Sequence, residues 1–338
     1  MFDVALRAPV VDVEPRAPVV DVEPRAPVVG AEPRAPVVAV VDEPHWTDRE
    51  RRHRRRVQDF LRAHPSGESH PVWDFLFTYY SLRPRQLRTW HPGFGVALGG
   101  EAAQHYLTRT GYTSVRAGVA VSRDYLSARL DTVRFIGRLL RATASRPARL
   151  NCFGLHEWAM VYRAPTIRHD RVPLRLGVAG TDAVVDSMPL RCSHFDAFRF
   201  FTEPAARRNA VQLTRRSQTS AEQPGCLHAG MDLYKWAFKL GPLVNSELVM
   251  DCLDLAADAR ELDMRASPYD LREYGFEPIA IETPAGRAEY VRIQQTIAER
   301  AAPLRSALAD RCDWLDTAAG RESDTAAGRG DIEAAGGE

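Results

Sequence analysis

Residues 245–264 read NSELVMDCLDLAADARELDM, and this stretch decides the fold class. Apolar residues recur along it at steps of three and four, which is the spacing of one buried helix face. Asn245 or Ser246 can cap the first turn, and Pro268 follows the expected end. The stretch therefore predicts a long helix with one face in the core.

The same periodicity predicts two more long helices, at 122–144 and 287–315. Strand signals are confined to three short runs, 173–178, 183–186 and 278–282. Because helices dominate, a doubly wound parallel sheet is not expected. The sequence predicts a mainly α (α+β) fold, with a single large helical domain and a small β-sheet.

Tandem repeats flank this domain. Residues 7–15 read RAPVVDVEP, and the nonapeptide recurs with small changes through the first 44 residues, while DTAAGR occurs twice near the C-terminus. Frequent proline in the first repeat, and glycine and alanine in the second, leave little to pack into a core. We therefore predict a Pro-rich, disordered repeat tail at 1–44, a helical domain at 45–315 and a disordered, acidic Gly/Ala-rich tail at 316–338.

Charge is segregated along the chain. The 338 residues include 45 Lys and Arg against 44 Asp and Glu, yet both tails are acidic, so the domain between them is basic. A basic body attracts polyanions, nucleic acid above all. No apolar stretch is long enough to form a membrane-spanning helix, and the N-terminus does not have the pattern of a secretory signal. Five cysteines scattered along the chain indicate reduced thiols and not a disulfide framework. We expect a cytoplasmic protein with no membrane partner.

A basic helix is predicted at the start of the domain. Thr47 and Glu50 have the spacing of a capping box. Arginines follow closely at Arg51, Arg52, Arg54, Arg55 and Arg56. Guanidinium groups at this density can follow a DNA backbone, or they can form a solvated face balanced by the acidic N-terminal tail.

Aromatic residues are concentrated in two segments. Residues 70–80 read HPVWDFLFTYY and lead on to Trp90, and residues 152–162 read CFGLHEWAMVY. These rings form either the centre of the core or the lining of a pocket on which a planar ligand stacks. Glu157, beside Trp158, is suited to a raised pKa and general-base chemistry, or it is an exposed carboxylate.

Two Cys-x-His pairs define a candidate zinc site. The four residues are Cys192, His194, Cys226 and His228. Two such pairs supply the ligands of a tetrahedral zinc ion, although paired zinc ligands are usually separated by roughly two to four residues. The alternative is a set of buried thiols and hydrogen-bonded histidines.

The chain has only two lysines, Lys235 and Lys239. Arginine holds every other cationic position, and unlike arginine a lysine can lose its proton and act as a base or nucleophile. Asp232, three residues before Lys235, is either a catalytic carboxylate or its ion-pair partner. Chance placement of two lysines is the alternative explanation.

Five long motifs lie between residues 68 and 310: HPVWDFLFTYYSLRPRQLRTWHPGFG, CFGLHEWAMVYR, CSHFDAFRFFT, QPGCLHAGMDLYKWAFKL and RELDMRASPYDL. Together they resemble a family of actinobacterial and other bacterial proteins known as 3-methyladenine DNA glycosylases. The resemblance implies a base excision repair enzyme that hydrolyses the N-glycosidic bond of alkylated purines. It implies damaged double-stranded DNA as the partner and no required cofactor.

The resemblance also implies roles for the candidate residues. A cationic base would be unstacked into a pocket formed by Tyr79, Tyr80, Trp90, His156 and Trp158. Glu157 or Asp232 would orient the attacking water, and Lys235 would serve a lyase-type variant of the reaction.

The DNA backbone would be held by two elements. One is the basic helix with Arg51, Arg52, Arg54, Arg55 and Arg56. The other is Pro-Gly-Phe-Gly, similar to a phosphate-gripping hairpin, in which Gly93 and Gly95 supply the turn. On this hypothesis, segments 70–95, 152–162 and 226–239 converge on one cleft.

Two other function classes remain open. A Cys/His-dependent hydrolase or transferase, with or without zinc, would act on a small molecule. It predicts that six side chains cluster: Cys152, His156, Cys192, His194, Cys226 and His228. A non-catalytic nucleic-acid-binding protein instead predicts that the aromatic residues are plain core.

Overall fold

The computed structural model describes residues 39–65, 70–80, 82–165 and 172–330, with side chains described as far as residue 320. The described helices are α1 (Glu43–Ala63), α2 (Asp74–Thr78), α3 (Pro84–Leu87), α4 (Arg123–Ala128), α5 (Leu130–Ala144), α6 (Leu155–Ala159), α7 (Gly177–Ser187), α8 (Phe195–Phe198), α9 (Glu203–Arg208), α10 (Gln218–Ala221), α11 (Leu227–Leu240), α12 (Ser246–Arg265) and α13 (Pro284–Gly330). The described strands are β1 (Ala39–Val41), β2 (Val96–Leu98), β3 (Tyr112–Val115) and β4 (Gly118–Val121). Short 3-10 helices cover Glu101–Thr108, Arg215–Ser217 and Arg272–Tyr274. The prediction of a mainly α fold with a small sheet is confirmed.

Helix α12 is the centre of the core. It packs against α11 and α13, and α13 also covers α5. Twelve of its twenty residues are buried, which is more than one amphipathic face supplies. Asn245 Oδ1 accepts a hydrogen bond from Leu248 N at 2.8 Å, so the predicted N-cap is confirmed. The extra buried positions of α12 include Arg260 and Asp263, which carry charge into the interior.

The four described strands form one sheet in the order β1-β2-β4-β3. β1 runs parallel to β2, and the other two pairs are antiparallel. Gly118 has a φ of +134°, and a Cβ there would lie 2.0 Å from the Leu98 carbonyl oxygen, so only glycine permits this strand approach. The sheet contributes to a second, smaller core that includes Trp46, Trp90 and Tyr106.

The predicted domain boundaries need correction at both ends. Helix α1 begins at Glu43 with Asp42 as its cap, and Thr47 donates to the Glu43 carbonyl from inside the helix. Residues 39–44 are therefore part of the domain. At the other end α13 continues past 316, where Asp316 binds Arg134 and Ala318 is buried. Residues 1–38 and 331–338 lie outside the described residues.

Other predicted elements are also corrected. The helix expected at 122–144 is interrupted at Arg129, whose guanidinium donates to the Lys239 carbonyl. None of the three predicted strands is observed. Residues 177–187 form a helix that buries Val184 and Val185, because β-branched residues can also line a helix face. Among the described residues, no helix is both long and apolar enough to cross a bilayer.

Acid is expected to destabilise the fold through His91. Its backbone exchanges hydrogen bonds with Ser246, its ring is hydrogen-bonded to the Tyr112 hydroxyl at 2.8 Å, and burial together with Arg109 lowers its pKa to about 4. A histidine with a lowered folded pKa stabilises the fold above its unfolded pKa of about 6.5 and loses that contribution on acidification. Between pH 6.5 and pH 4, the free energy of unfolding should fall by about 2–3 kcal/mol through this group.

Denaturant titrations of wild type and His91→Gln at several pH values measure this effect. Glutamine cannot take up the proton, so the variant should lose less stability over that pH interval. Equal slopes in the two proteins would show that other groups account for the acid sensitivity.

Candidate functional site

Titratable side chains from several helices meet in the interior and form what we call the buried polar cluster. Its members are Cys152, His156, Glu157, His194, Asp196, Glu222, His228, Asp232, Lys235, Arg260 and Asp263. Helix α6 enters through a left-handed turn, with φ of 52° at Phe153 and 72° at Gly154. A left-handed φ is costly for phenylalanine and marks a position held by its surroundings. The turn sets α6 so that both His156 and Glu157 point inward.

One half of the cluster is centred on His156. Its Nε2 lies 2.5 Å from Asp263 Oδ1, and its Nδ1 lies 3.5 Å from Cys152 Sγ. Arg260 Nη1 donates to Asp263 Oδ2 and to Glu157 Oε1, both at 3.0 Å. Burial opposes the charged imidazolium, but Asp263 raises the pKa of His156 well above its usual value. Burial and Asp263 together raise the pKa of Glu157.

The other half is centred on Asp232 and Lys235. Lys235 Nζ donates to Asp196 Oδ2 at 2.7 Å and to Asp232 Oδ2 at 2.8 Å. His194 Nε2 lies 3.2 Å from Asp232 Oδ2 and 3.5 Å from Glu222 Oε1. Burial opposes both charges, yet Asp232 raises the pKa of Lys235 and Lys235 lowers the pKa of Asp232. Lys235 is thus held as an ammonium ion, which is the wrong form for a nucleophile or base.

His228 lies between the two halves. Its ring centroid is 4.4 Å from that of His156 and 5.3 Å from that of His194. Burial and the neighbouring His156 lower its pKa to about 3, so its imidazole is neutral. His228 also lines two cavities, which makes the cluster a wall between them.

The first cavity, of about 430 Å³, is called the aromatic cavity. Rings from Phe75, Tyr79, Phe200 and Tyr269 line it, together with carboxylates of Asp74, Glu157 and Asp196. The second cavity, of about 960 Å³, is called the thiol cavity. It is lined by Cys152, His156, Cys192, His194, Cys226 and His228, so the six Cys and His side chains expected to cluster do share one cavity.

The structure separates the predicted base-pocket residues. Tyr79 lines the aromatic cavity and His156 lines the thiol cavity. Trp90 and Trp158 are 0% exposed, with their indole N–H groups donating to Glu247 and to the Ala266 carbonyl. Tyr80 is also buried. These last three rings are core residues, so their assignment to the pocket is corrected.

The predicted catalytic residues also differ in whether they line a cavity. Glu157 lines the aromatic cavity, whereas Asp232 is 1% exposed and lines neither cavity. Asp196, on the other side of Lys235, occupies the cavity position that Asp232 was expected to fill. Segments 70–95, 152–162 and 226–239 therefore converge only in part, since no described residue of 80–95 lines the aromatic cavity.

The predicted DNA-backbone residues lie away from both cavities. Arg51 and Arg52 bind Asp48, Arg54 binds Glu50, and Arg56 binds two aspartates of α12. Arg55 is exposed, with no ion pair to the described residues. A Cβ at Gly93 would meet Arg311, and one at Gly95 would meet the Trp314 ring. The glycines are packed against α13, which contradicts a hairpin open to phosphate.

A metal could be held by His156, His228 and Asp263, whose ligand atoms lie within 4.8 Å of one another. This set shares only His228 with the four residues predicted from the Cys-x-His spacing. Among the described residues those four do not form such a group, although all line the thiol cavity. The sequence analysis missed Asp263 and Arg260, whose only local signal is a charged position on the apolar side of a buried helix.

Comparison with known proteins identifies no relative of this chain. No protein-family model, curated protein or solved structure matches the chain. The function must therefore be argued from the two cavities and the cluster between them.

Proposed function

We propose that the protein is a DNA glycosylase that releases alkylated purines such as 3-methyladenine. The observation that carries this proposal is the composition of the aromatic cavity, where four aromatic rings and three carboxylates line about 430 Å³. An alkylated purine is flat and cationic, so aromatic faces bind it by stacking and by cation–π attraction. The volume suits one small ligand. The five motifs similar to the 3-methyladenine DNA glycosylase family support the same conclusion.

The reaction assigns a different task to each of two carboxylates. Burial opposes ionisation of Asp196, but Lys235 lowers its pKa, so Asp196 is anionic and can stabilise positive charge developing on the sugar. Burial raises the pKa of Glu157, which suits it to accept a proton from the attacking water. Water adds to the sugar carbon, the C–N bond breaks, and the free base and an abasic site result.

Double-stranded DNA is the proposed partner, in the cytoplasm and in the context of base excision repair. Two cationic groups that contact the cavity residue Asp196 are available for its phosphates. Arg199 and Arg215 both bind Asp196, and their side chains are 44% and 57% exposed. Each can contact a phosphate while still screening that carboxylate, and such contacts weaken with salt.

Release of 3-methyladenine from methylated double-stranded DNA tests the proposal. We expect wild type to exceed the protein-free rate. Asp196→Asn and Glu157→Gln should each reduce release by about 100-fold, and Tyr79→Ala by about 10-fold through lost stacking. Asp186→Asn is the control, since Asp186 is an exposed carboxylate outside both cavities. Wild-type release at the protein-free rate would contradict this function, and full activity in both carboxylate variants would contradict the catalytic roles given to Asp196 and Glu157.

A second candidate is a Cys/His-dependent hydrolase or transferase, favoured by the thiol cavity. Cys152, His156 and Asp263 form a chain of a thiol, an imidazole and a carboxylate, the order of a nucleophile, a base and an orienting group. Arg149 and Arg191 line the same cavity with guanidinium groups that have no partner among the described residues, which suits an anionic small molecule. Wild-type base release at the protein-free rate would favour this class over the glycosylase.

A further inference from the structure

We propose that His156, His228 and Asp263 form the binding site of a divalent first-row transition-metal ion. One ligand atom from each lies within 4.8 Å of the other two. The three residues come from α6, α11 and α12, and their exposed fractions are 3%, 6% and 0%. The site therefore exists only in the folded chain. It is separate from the catalytic carboxylates proposed above, and its test does not require base release.

The imidazole of His228 is the ligand that the surrounding protein engages least. Neither of its ring nitrogens has a hydrogen-bond partner among the described residues, and its contacts are with the rings of His156 and His194. Because His228 lines both cavities, these nitrogens are available to a ligand that enters from either one.

Each of the other two ligands has one atom held by a neighbouring residue and one atom that bonds only the other ligand. Cys152 Sγ faces His156 Nδ1, and Arg260 holds Asp263 Oδ2. Metal-binding histidines usually have such a partner on the second ring nitrogen. The remaining atoms, His156 Nε2 and Asp263 Oδ1, are 2.5 Å apart and share a proton. The metal replaces that proton, which leaves to solvent, and the two side chains separate by about 0.7 Å to reach metal–ligand distances.

The donor set identifies the class of ion. Two imidazole nitrogens and one carboxylate oxygen suit Zn²⁺, Fe²⁺ or Co²⁺ and are a poor set for Mg²⁺ or Ca²⁺, which take oxygen ligands. Three protein ligands leave open positions. Because His228 borders both cavities, a bound ion would be reachable from the aromatic and the thiol cavity.

Cobalt titration of the full-length, chelator-treated protein without DNA tests the site. We expect one Co²⁺ per chain, visible absorption bands, and no intense near-ultraviolet band of thiolate-to-cobalt charge transfer. His228→Gln and Asp263→Asn should each weaken binding by about 100-fold or more. His53→Gln is the matched control. His53 is a buried histidine on α1 that already bonds the Leu87 carbonyl, so its replacement should leave the affinity unchanged.

Three results would overturn the proposal. The first is the absence of stoichiometric cobalt binding to wild type. The second is unchanged affinity in a folded His228→Gln. The third is a thiolate band that disappears in Cys226→Ser, which would place the ion on the cysteine pairs. The wild-type spectrum decides the ligand type even where a variant fails to fold. Cobalt binding without base release would support the metal site and contradict the glycosylase function. Base release without cobalt binding would support the glycosylase function and contradict the metal site.

Discussion

Replacing Arg260 with methionine is expected to lower the free energy of unfolding by about 3–5 kcal/mol, because Glu157 would remain in the interior without its cation and Asp263 would keep only His156. Arg260 is 2% exposed and donates to both Glu157 and Asp263. Its Nε and Nη2 also donate to the carbonyls of Val72 and Pro71, which fastens the segment that forms one wall of the aromatic cavity. Methionine fills a similar volume but supplies no donor.

Arg56→Met is the matched control for this prediction. Arg56 also binds two carboxylates, Asp251 and Asp254 of α12, but its side chain is 38% exposed. Exposed ion pairs contribute about 0–1 kcal/mol, so denaturant titration at neutral pH should show a small change. Adding Glu157→Gln to Arg260→Met should recover part of the loss, because it removes one stranded charge. Equal losses for the two arginine variants would contradict a special role for burial.

The long helices could be predicted because their signal is local. In α12 the apolar spacing, the Asn245 cap and the following proline all lie within one short stretch. The strands could not be predicted, since each has three or four residues and gains stability only from pairing. β1 follows directly on the Pro-rich repeats, and its partner β2 is more than fifty residues away.

The sequence indicated which types of residue form the site, but not which residues contact one another there. Glu157 and the Cys-x-His histidines drew attention because these side chains carry chemistry. Their partners are set by α12, where Asp263 lies 107 residues from His156 and Arg260 lies 103 residues from Glu157. The sequence also gave no means of dividing rings between core and cavity. The buried Trp90 donates its indole N–H to Glu247, and only the tertiary fold brings these two residues together.

Replacing Lys235 with methionine is expected to lower the free energy of unfolding at neutral pH by about 3–4 kcal/mol. Its ammonium group is the cation between Asp196 and Asp232, and its side chain is 12% exposed. Without it, Asp196 keeps only its two arginine partners, Asp232 keeps only His194, and the two carboxylates repel each other. Because Lys235 is held in its charged form, borohydride should trap no covalent adduct between the protein and abasic DNA.

Lys239→Met provides the control, since Lys239 is exposed and makes no ion pair with the described residues. Both lysines lie beside the Trp236 ring, with Nζ at 4.5 Å from its centroid for Lys235 and 5.5 Å for Lys239. The control therefore removes a similar cation–π contact and no carboxylate partner. Its loss of stability should be below about 1 kcal/mol by denaturant titration.

The pH dependence of the Lys235→Met effect separates charge from packing. Burial opposes ionisation of both carboxyl groups, and Lys235 lowers the pKa of Asp196 and of Asp232 below the usual range. Carboxyl groups with a lowered folded pKa stabilise the fold above their unfolded pKa of about 3.9 and lose that contribution as the pH falls. The stability difference between wild type and variant should therefore be largest near neutral pH and shrink below about pH 4. A difference that stays constant from neutral pH to pH 3 would mean that the lysine stabilises the fold by packing on Trp236.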